Sequence, residues 1–204
     1  MNGTSVIKNK GLIEDIYFPL SILRERAAPG ARLLDVGCAL GYFLGCCDQH
    51  GLETYGIEVD EDSLEKAKKE TCAALFLRDV NKGLALFEKD FFDYVTAFDV
   101  IEHLDDPAFF LKECLRILKG GGLLIVTTPN LASAARMIFR DKWYGYMDKT
   151  HQHFFTPTTL ASVFEQVGYK IKRLETPFHP LSKALQFCLN RTGWGGQIWI
   201  VGEK

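Results

Sequence analysis

The stretch LLDVGCALGYFL (33–44) ends an apolar run at Asp35 and then places glycines at 37 and 41. A turn with so few side chains lets the backbone approach a ligand closely and presents the amides of a helix N-terminus. That is the logic of a nucleotide pocket. The dinucleotide fingerprint GxGxxG would need glycines at 37, 39 and 42, where this chain has Gly37, Ala39 and Tyr42. A nicotinamide or flavin site therefore loses its phosphate turn. About twenty residues on, Glu58 closes a second apolar run, where a carboxylate can accept both hydroxyl protons of a ribose. Its neighbours Asp60, Glu61 and Asp62 leave a solvated acidic face as the other reading. His103 and the alternating pair His151 and His153 are the side chains best matched to moving a proton near neutral pH. On extended backbone both members of the pair point to one face. They either reach a pocket or hydrogen-bond to hold their own segment, while His103 caps or packs the short turn before Asp105. No third carboxylate or thiolate stands at ligand spacing from the pair, so no metal centre is predicted.

Positioning these residues requires an alternation of short apolar runs and helical patterns. RLLDVG (32–37), ETYGIEV (53–59), ALFLRDV (74–80), FDYVTAFD (92–99) and GLLIVTTP (122–129) read as buried strands. Between them, DEDSLEKAKKE (60–70) starts with acids and ends with lysines, in the sense of the helix dipole. DDPAFFLKECLRILKGG has Asp106 as N-cap, Pro107 in the first turn and Gly120 as stop. Repeated strand, helix, strand implies a mainly parallel α/β sheet with helices on both faces. Further on, TPTTLASVFEQVG (156–168) reads as a capped helix, YKIKRLE (169–175) as a strand, and GQIWIVGEK (196–204) as another. Two segments stand outside the alternation, about 131–154 and about 179–194. Insertions beside the carboxyl ends of strands are where such folds carry specificity.

Asp35, Gly37, Ala39 and Gly41 resemble motif I of the class I S-adenosylmethionine-dependent methyltransferases, an acid followed by GxGxG, with alanine at the middle glycine. FDYVTAFDVIEHLDDPAFFLKECLRILKGGGLLIVTTPN resembles the strand-four to strand-five region of their small-molecule branch, including the EHL and LKGGG segments. HQHFFTPTTLASVFEQVGY resembles the helix after the lid in the quinone-type enzymes, among type 11 and type 23 methyltransferases. The resemblance implies a Rossmann-like seven-stranded sheet of order 3-2-1-4-5-7-6, the seventh strand antiparallel. It implies S-adenosylmethionine as methyl donor and S-adenosylhomocysteine as product. The donor's amino-acid end would meet Asp35, Gly37, Cys38, Ala39 and Gly41, with backbone at Ala97 and Phe98. Glu58 would take the ribose, and Asp79 and Val80 the adenine. Asp99 would lie next to the reacting methyl, orienting an acceptor or supporting its turn. For a hydroxyl acceptor, His151 or His153 would be the base.

Bulk properties agree with a small-molecule acceptor. The chain of 204 residues is 47% hydrophobic and carries net charge −2, enough apolar content for one domain and no broad basic field for nucleic acid. Met137, Ile138, Phe139, Trp143, Tyr144, Tyr146 and Met147 make the first insertion an apolar lid for an aromatic, quinone or lipid-like substrate, or else pack it onto the sheet. Arg136, Arg140, Lys142 and Lys149 add positive charge. Six cysteines lack CxxC spacing and read as buried thiols of a reducing compartment. With no signal-like or membrane-spanning apolar run, a cytoplasmic monomer or homodimer is expected. Two other functions fit parts of the pattern: a non-catalytic donor-binding protein, if the Ala39 methyl crowds the donor, and a nucleotide-dependent oxidoreductase.

Overall fold

The computed structural model describes residues 19–177 and 193–204. The chain divides into two compact units, Met1–Arg78 and Asp79–Lys204.

The first unit opens with a helix, α1, over residues 19–26. Its apolar side chains Leu20, Ile22 and Leu23 are buried. Strand β1 (Arg32–Val36) follows, with Leu33, Leu34 and Val36 fully enclosed. It pairs in parallel with β2 (Glu53–Glu58), Asp35 opposite Gly56 and Val36 opposite Ile57. Helix α2 (Tyr42–Gln49) makes the crossover that a parallel pair requires. At Gly56 the strand is closely packed, and any side chain would make its neighbours shift. A Cβ there would lie 2.7 Å from Leu75, 2.8 Å from Leu44 and 2.9 Å from the Cys38 sulfur. Helix α3 (Glu61–Ala67) is capped by Asp60, which accepts from the Ser63 N–H, and leads to β3 (Ala74–Leu77), parallel to β2. β3 is shorter than the apolar run suggested, because Asp79 caps a 3-10 turn over Val80–Lys82.

In the second unit, β4 (Phe92–Phe98) and β5 (Leu118–Pro129) pair in parallel, and β7 (Gln197–Glu203) runs antiparallel to both β5 and β6 (Lys170–Glu175). Helix α4 (Pro107–Ile117) buries Phe110, Leu111, Cys114 and Ile117, one face of a 3.6-residue repeat. Asp106 caps it through the Phe109 N–H and Pro107 fills its first turn, as expected. Its end differs from expectation. The helix stops at Ile117 rather than at Gly120, because Leu118 already pairs with Phe92 and the Lys119 ammonium binds both Asp93 oxygens at 2.8 and 2.7 Å. The chain then bulges through Gly121, at φ 79°, before Leu123 meets Tyr94. Helix α7 (Pro157–Val167) has the capping box of Thr156 and Thr159 and ends at Gly168, φ 115°. Ahead of it, the 131–154 insertion holds the short helices α5 (Ala134–Phe139) and α6 (Tyr144–Met147). The insertion expected at 179–194 lies, up to residue 192, outside the described residues.

The strand order is β3-β2-β1-β4-β5-β7-β6, the order the resemblance implied. Among the described residues no helix is long and apolar enough to cross a membrane. Of the cysteines, Cys38, Cys47 and Cys114 are buried thiols, Cys46 is half-buried and Cys72 is exposed, against the expectation of general burial. Cys188 lies outside the described residues.

Candidate active site

In the first unit the chain leaves β1 through three residues of positive φ, Gly37 (73°), Ala39 (45°) and Gly41 (77°). Gly37 and Cys38 both donate to the Ile57 carbonyl, at 2.8 and 3.0 Å, which ties the turn to the end of β2. Gly41 is the N-cap of α2 and supplies no side chain to its first-turn amides. Ala39 occupies a left-handed conformation that costs an L-residue roughly 1–2 kcal/mol. Its N–H donates to Glu58 Oε2 at 2.9 Å, while Glu58 Oε1 accepts from Val59 (2.7 Å) and Asp60 (3.0 Å). Glu58 thus braces the glycine turn from the end of the neighbouring strand. A carboxylate offers about four acceptor sites, so after these three bonds one remains for a ligand hydroxyl. Asp35 is 2% exposed at the end of β1. Burial, then the charges of Asp35 and Glu58, push the Cys38 thiol far above its ordinary range. It is a packing group at neutral pH, not a nucleophile.

In the second unit β4 delivers Ala97, fully buried, and Phe98, half-buried, to a turn at Asp99. Asp99 has φ 51° and donates its N–H to the Thr127 carbonyl at 3.1 Å. Gln197 Nε2 approaches its carboxylate at 3.3 Å, and Gln197 in turn accepts from the Trp199 indole at 3.0 Å. Asp79 and Val80, both half-buried, stand in the 3-10 turn, where Asn81 accepts from the Asp105 N–H at 3.0 Å.

Beyond Asp99 the turn Ile101–His103 carries Glu102, which is 1% exposed. Its Oε2 accepts from Thr128 Oγ1 at 3.0 Å, and its buried Oε1 has no hydrogen-bond partner among the described residues. Burial, reinforced by the Asp99 charge, pushes its carboxyl up to about 8. The segment leaving the lid closes over this turn. Gln152 and His153 both donate their N–H to the Glu102 carbonyl, at 2.8 and 3.0 Å, and the Gln152 amide reaches the His103 carbonyl and Asp105. His103 and His151 come to 4.6 Å between ring centroids. Glu102, His103 and His151 each offer a ligand atom within 4.8 Å of the others, a group that could hold a metal ion. The expectation of no metal centre rested on ligand spacing along the chain; the fold sets Glu102 and His103 beside His151 without regard to that spacing.

Sequence reasoning misses this cluster. Glu102 reads there as part of a turn signature, and its meeting with His151 depends on folding rather than on spacing. The acid next to a histidine in EHL is the available signal. The histidine pair also separates. His151 joins His103, whereas the His153 ring stacks near Phe155 at 6.2 Å. Trp143 is 1% exposed and packs the lid, with Gly145 so close that a Cβ would sit 2.4 Å from its ring. Met137, Ile138, Phe139, Tyr144, Tyr146 and Met147 stay exposed. Of these seven lid residues Trp143 alone is buried.

Residues 14–174 match the family described as "Methyltransferase domain". The chain belongs to this methyltransferase family. Among curated relatives it is 34% identical to the ubiquinone biosynthesis O-methyltransferase of Maricaulis maris over 176 residues, 81% of this chain and 68% of that protein. It is 34% identical to the same-named protein of Hahella chejuensis over 116 residues, 54% of this chain. There the chain spans about half the relative's length, 49%. A solved S-adenosylmethionine-dependent methyltransferase from Archaeoglobus fulgidus superposes with TM-score 0.71 at 21% identity, covering 95% of this chain and 99% of that one. The methyltransferase fold is thereby shown, and the oxidoreductase expectation is set aside.

Proposed function

We propose that this protein transfers the methyl group of S-adenosylmethionine to an oxygen of a small aromatic acceptor of the quinone-precursor type, releasing S-adenosylhomocysteine. One observation of the molecule carries the reading: the glycine turn after β1, held open by positive φ and braced by Glu58. The O-methyltransferase names of the relatives supply the acceptor atom.

The donor, when bound, supplies an electrophilic methyl on a sulfonium. The chain's residues then bind, orient and manage a proton. The amides of the Gly37–Gly41 turn, with Cys38 and Ala39 contributing backbone, hold the donor carboxylate, and Asp35 faces its ammonium. Glu58 accepts from one ribose hydroxyl at its remaining acceptor site. Asp79 and Val80 take the adenine, and Ala97 and Phe98 contribute backbone. Asp99 orients the acceptor. His151, whose ring is fixed by the Gly145 carbonyl at 2.7 Å, takes the acceptor's hydroxyl proton. His153 serves through its backbone, tying the lid exit to Glu102. Were a divalent cation held by Glu102, His103 and His151, the His151 lone pair would go to the metal, and the cation in place of His151 would draw the acceptor oxygen toward ionisation.

The test is transfer of labelled methyl from S-adenosylmethionine to catechol-bearing benzoates, followed by mass analysis of the product. A monomethyl ether formed only when the chain is present supports the reading. Tight donor binding without transfer to any hydroxylated acceptor would instead make this a donor-binding protein, the alternative raised by Ala39.

A further inference from the structure

The two clustered histidines have their protons assigned by their neighbours. His151 Nδ1 lies 2.7 Å from the Gly145 carbonyl oxygen. A carbonyl only accepts, so the hydrogen sits on Nδ1 and the lone pair of the neutral ring on Nε2. Gly145 can stand there because it presses directly on the Trp143 ring, where a Cβ would find no room.

His103 is fixed by a longer chain. Its Nδ1 is 2.9 Å from Thr150 Oγ1, and that hydroxyl is 2.6 Å from Asp148 Oδ1, which also accepts the Thr150 N–H at 2.9 Å. Thr150 has one hydroxyl hydrogen. Asp148 is an exposed carboxylate, ionised at neutral pH and able only to accept. The hydrogen therefore goes to Asp148, and Thr150 Oγ1 must accept from His103 Nδ1–H.

We propose that Thr150, anchored by Asp148, is a positioning residue that locks His103 as the Nδ1–H tautomer, in parallel with the Gly145 lock on His151. Both neutral rings then carry their lone pair on Nε2. The lock acts through His103 and does not touch the reacting atoms. Its importance for turnover rests on the reading of this cluster as the methyl-transfer site, but its existence does not. The whole arrangement follows the rule that a neighbour on one imidazole nitrogen sets the role of the other.

The experiment is a long-range ¹H–¹⁵N correlation spectrum of the full chain labelled in histidine, at about pH 8 where imidazoles are neutral. His103→Asn and His151→Asn assign the signals. Both rings should show a protonated Nδ1. Thr150→Val should move His103 alone away from that pattern, and Thr150→Ser should restore it. Asp148→Ala, at an exposed position outside the core, frees the Thr150 hydrogen to donate to His103 and should drive that ring to the Nε2–H form. An Nε2–H His103 in the unmodified chain, or no change in Asp148→Ala, would overturn the lock. Tautomers as stated with no acceptor methylated would leave the lock standing and remove the methyl-transfer reading. Methylation with a tautomer indifferent to Thr150 and Asp148 would do the reverse.

Discussion

Replacing Glu102 by glutamine should make the protein more stable at pH 8 while changing little at pH 5. Glu102 is buried, with Oε1 lacking a partner among the described residues, and its carboxyl is raised from 4.5 to about 8 by burial and then by the Asp99 charge. Between those two values the folded chain binds a proton that the unfolded chain has released. Unfolding therefore becomes easier as pH rises. The contribution of this group is fully present below about pH 4.5 and is lost as pH rises through about 8. Each tenfold change in proton affinity between the folded and unfolded chain corresponds to about 1.4 kcal/mol. Raising this carboxyl so far is thus worth on the order of 3–5 kcal/mol, a large part of the roughly 5–15 kcal/mol that holds a domain together. Glu102→Gln keeps the side-chain shape and an oxygen for Thr128 but carries no charge. Urea unfolding of chelator-treated protein at several pH values between 5 and 8 reads the difference. The wild type should lose several kcal/mol relative to the variant across that range. Parallel stability curves would refute the argument, showing that Glu102 is ionised and compensated throughout. A divalent cation added at pH 8 should restore the wild type and leave the variant unmoved.

Glu58→Ala should weaken S-adenosylhomocysteine binding by roughly 30- to 100-fold in calorimetry, about 2–3 kcal/mol for the lost ribose bond and the unbraced turn. Unchanged affinity would dismiss the ribose assignment. Ala39→Gly should raise stability by roughly 0.5–1 kcal/mol, because relief of the left-handed strain exceeds the added chain entropy of glycine. A loss of thermal stability would contradict it. Asp106→Ala removes the cap of α4 and should cost about 1 kcal/mol, seen as a fall of roughly 2–4 °C in the melting midpoint. Methyl transfer should be unaffected, since that cap is remote in role from donor and acceptor.

Much of the fold was written in short-range signals. The caps at Asp60, Asp106 and Thr156 sit where side chain and backbone are three residues apart, so their chemistry is complete within one turn of chain. The glycine turn is equally local, since positive φ at 37 and 41 is announced by the residue type itself. The apolar runs located the five parallel strands, and the enclosed ones among them are apolar on both faces because helices cover both sides of a parallel sheet. Where neighbouring chain decided the outcome, the sequence was silent. The helix ending at Ile117 is set by the pairing of Leu118 with Phe92 and by the bond of Lys119 to Asp93, neither of which has a local signature.

The candidate site divides in the same way. Asp35, Gly37, Gly41 and Glu58 were recognisable because each lies at or just beyond a strand end, and a strand end is legible from where an apolar run stops. That Glu58 grips the Ala39 amide required parallel pairing of β1 with β2. The convergence of Glu102, His103 and His151, the parting of His153 from His151, and the Asp148 and Thr150 chain that orients His103 came only with tertiary structure. Periodicity records which face a residue occupies within its own element. It holds no information on which distant segment will be bonded across that face, and proton positions on a histidine are decided by that segment.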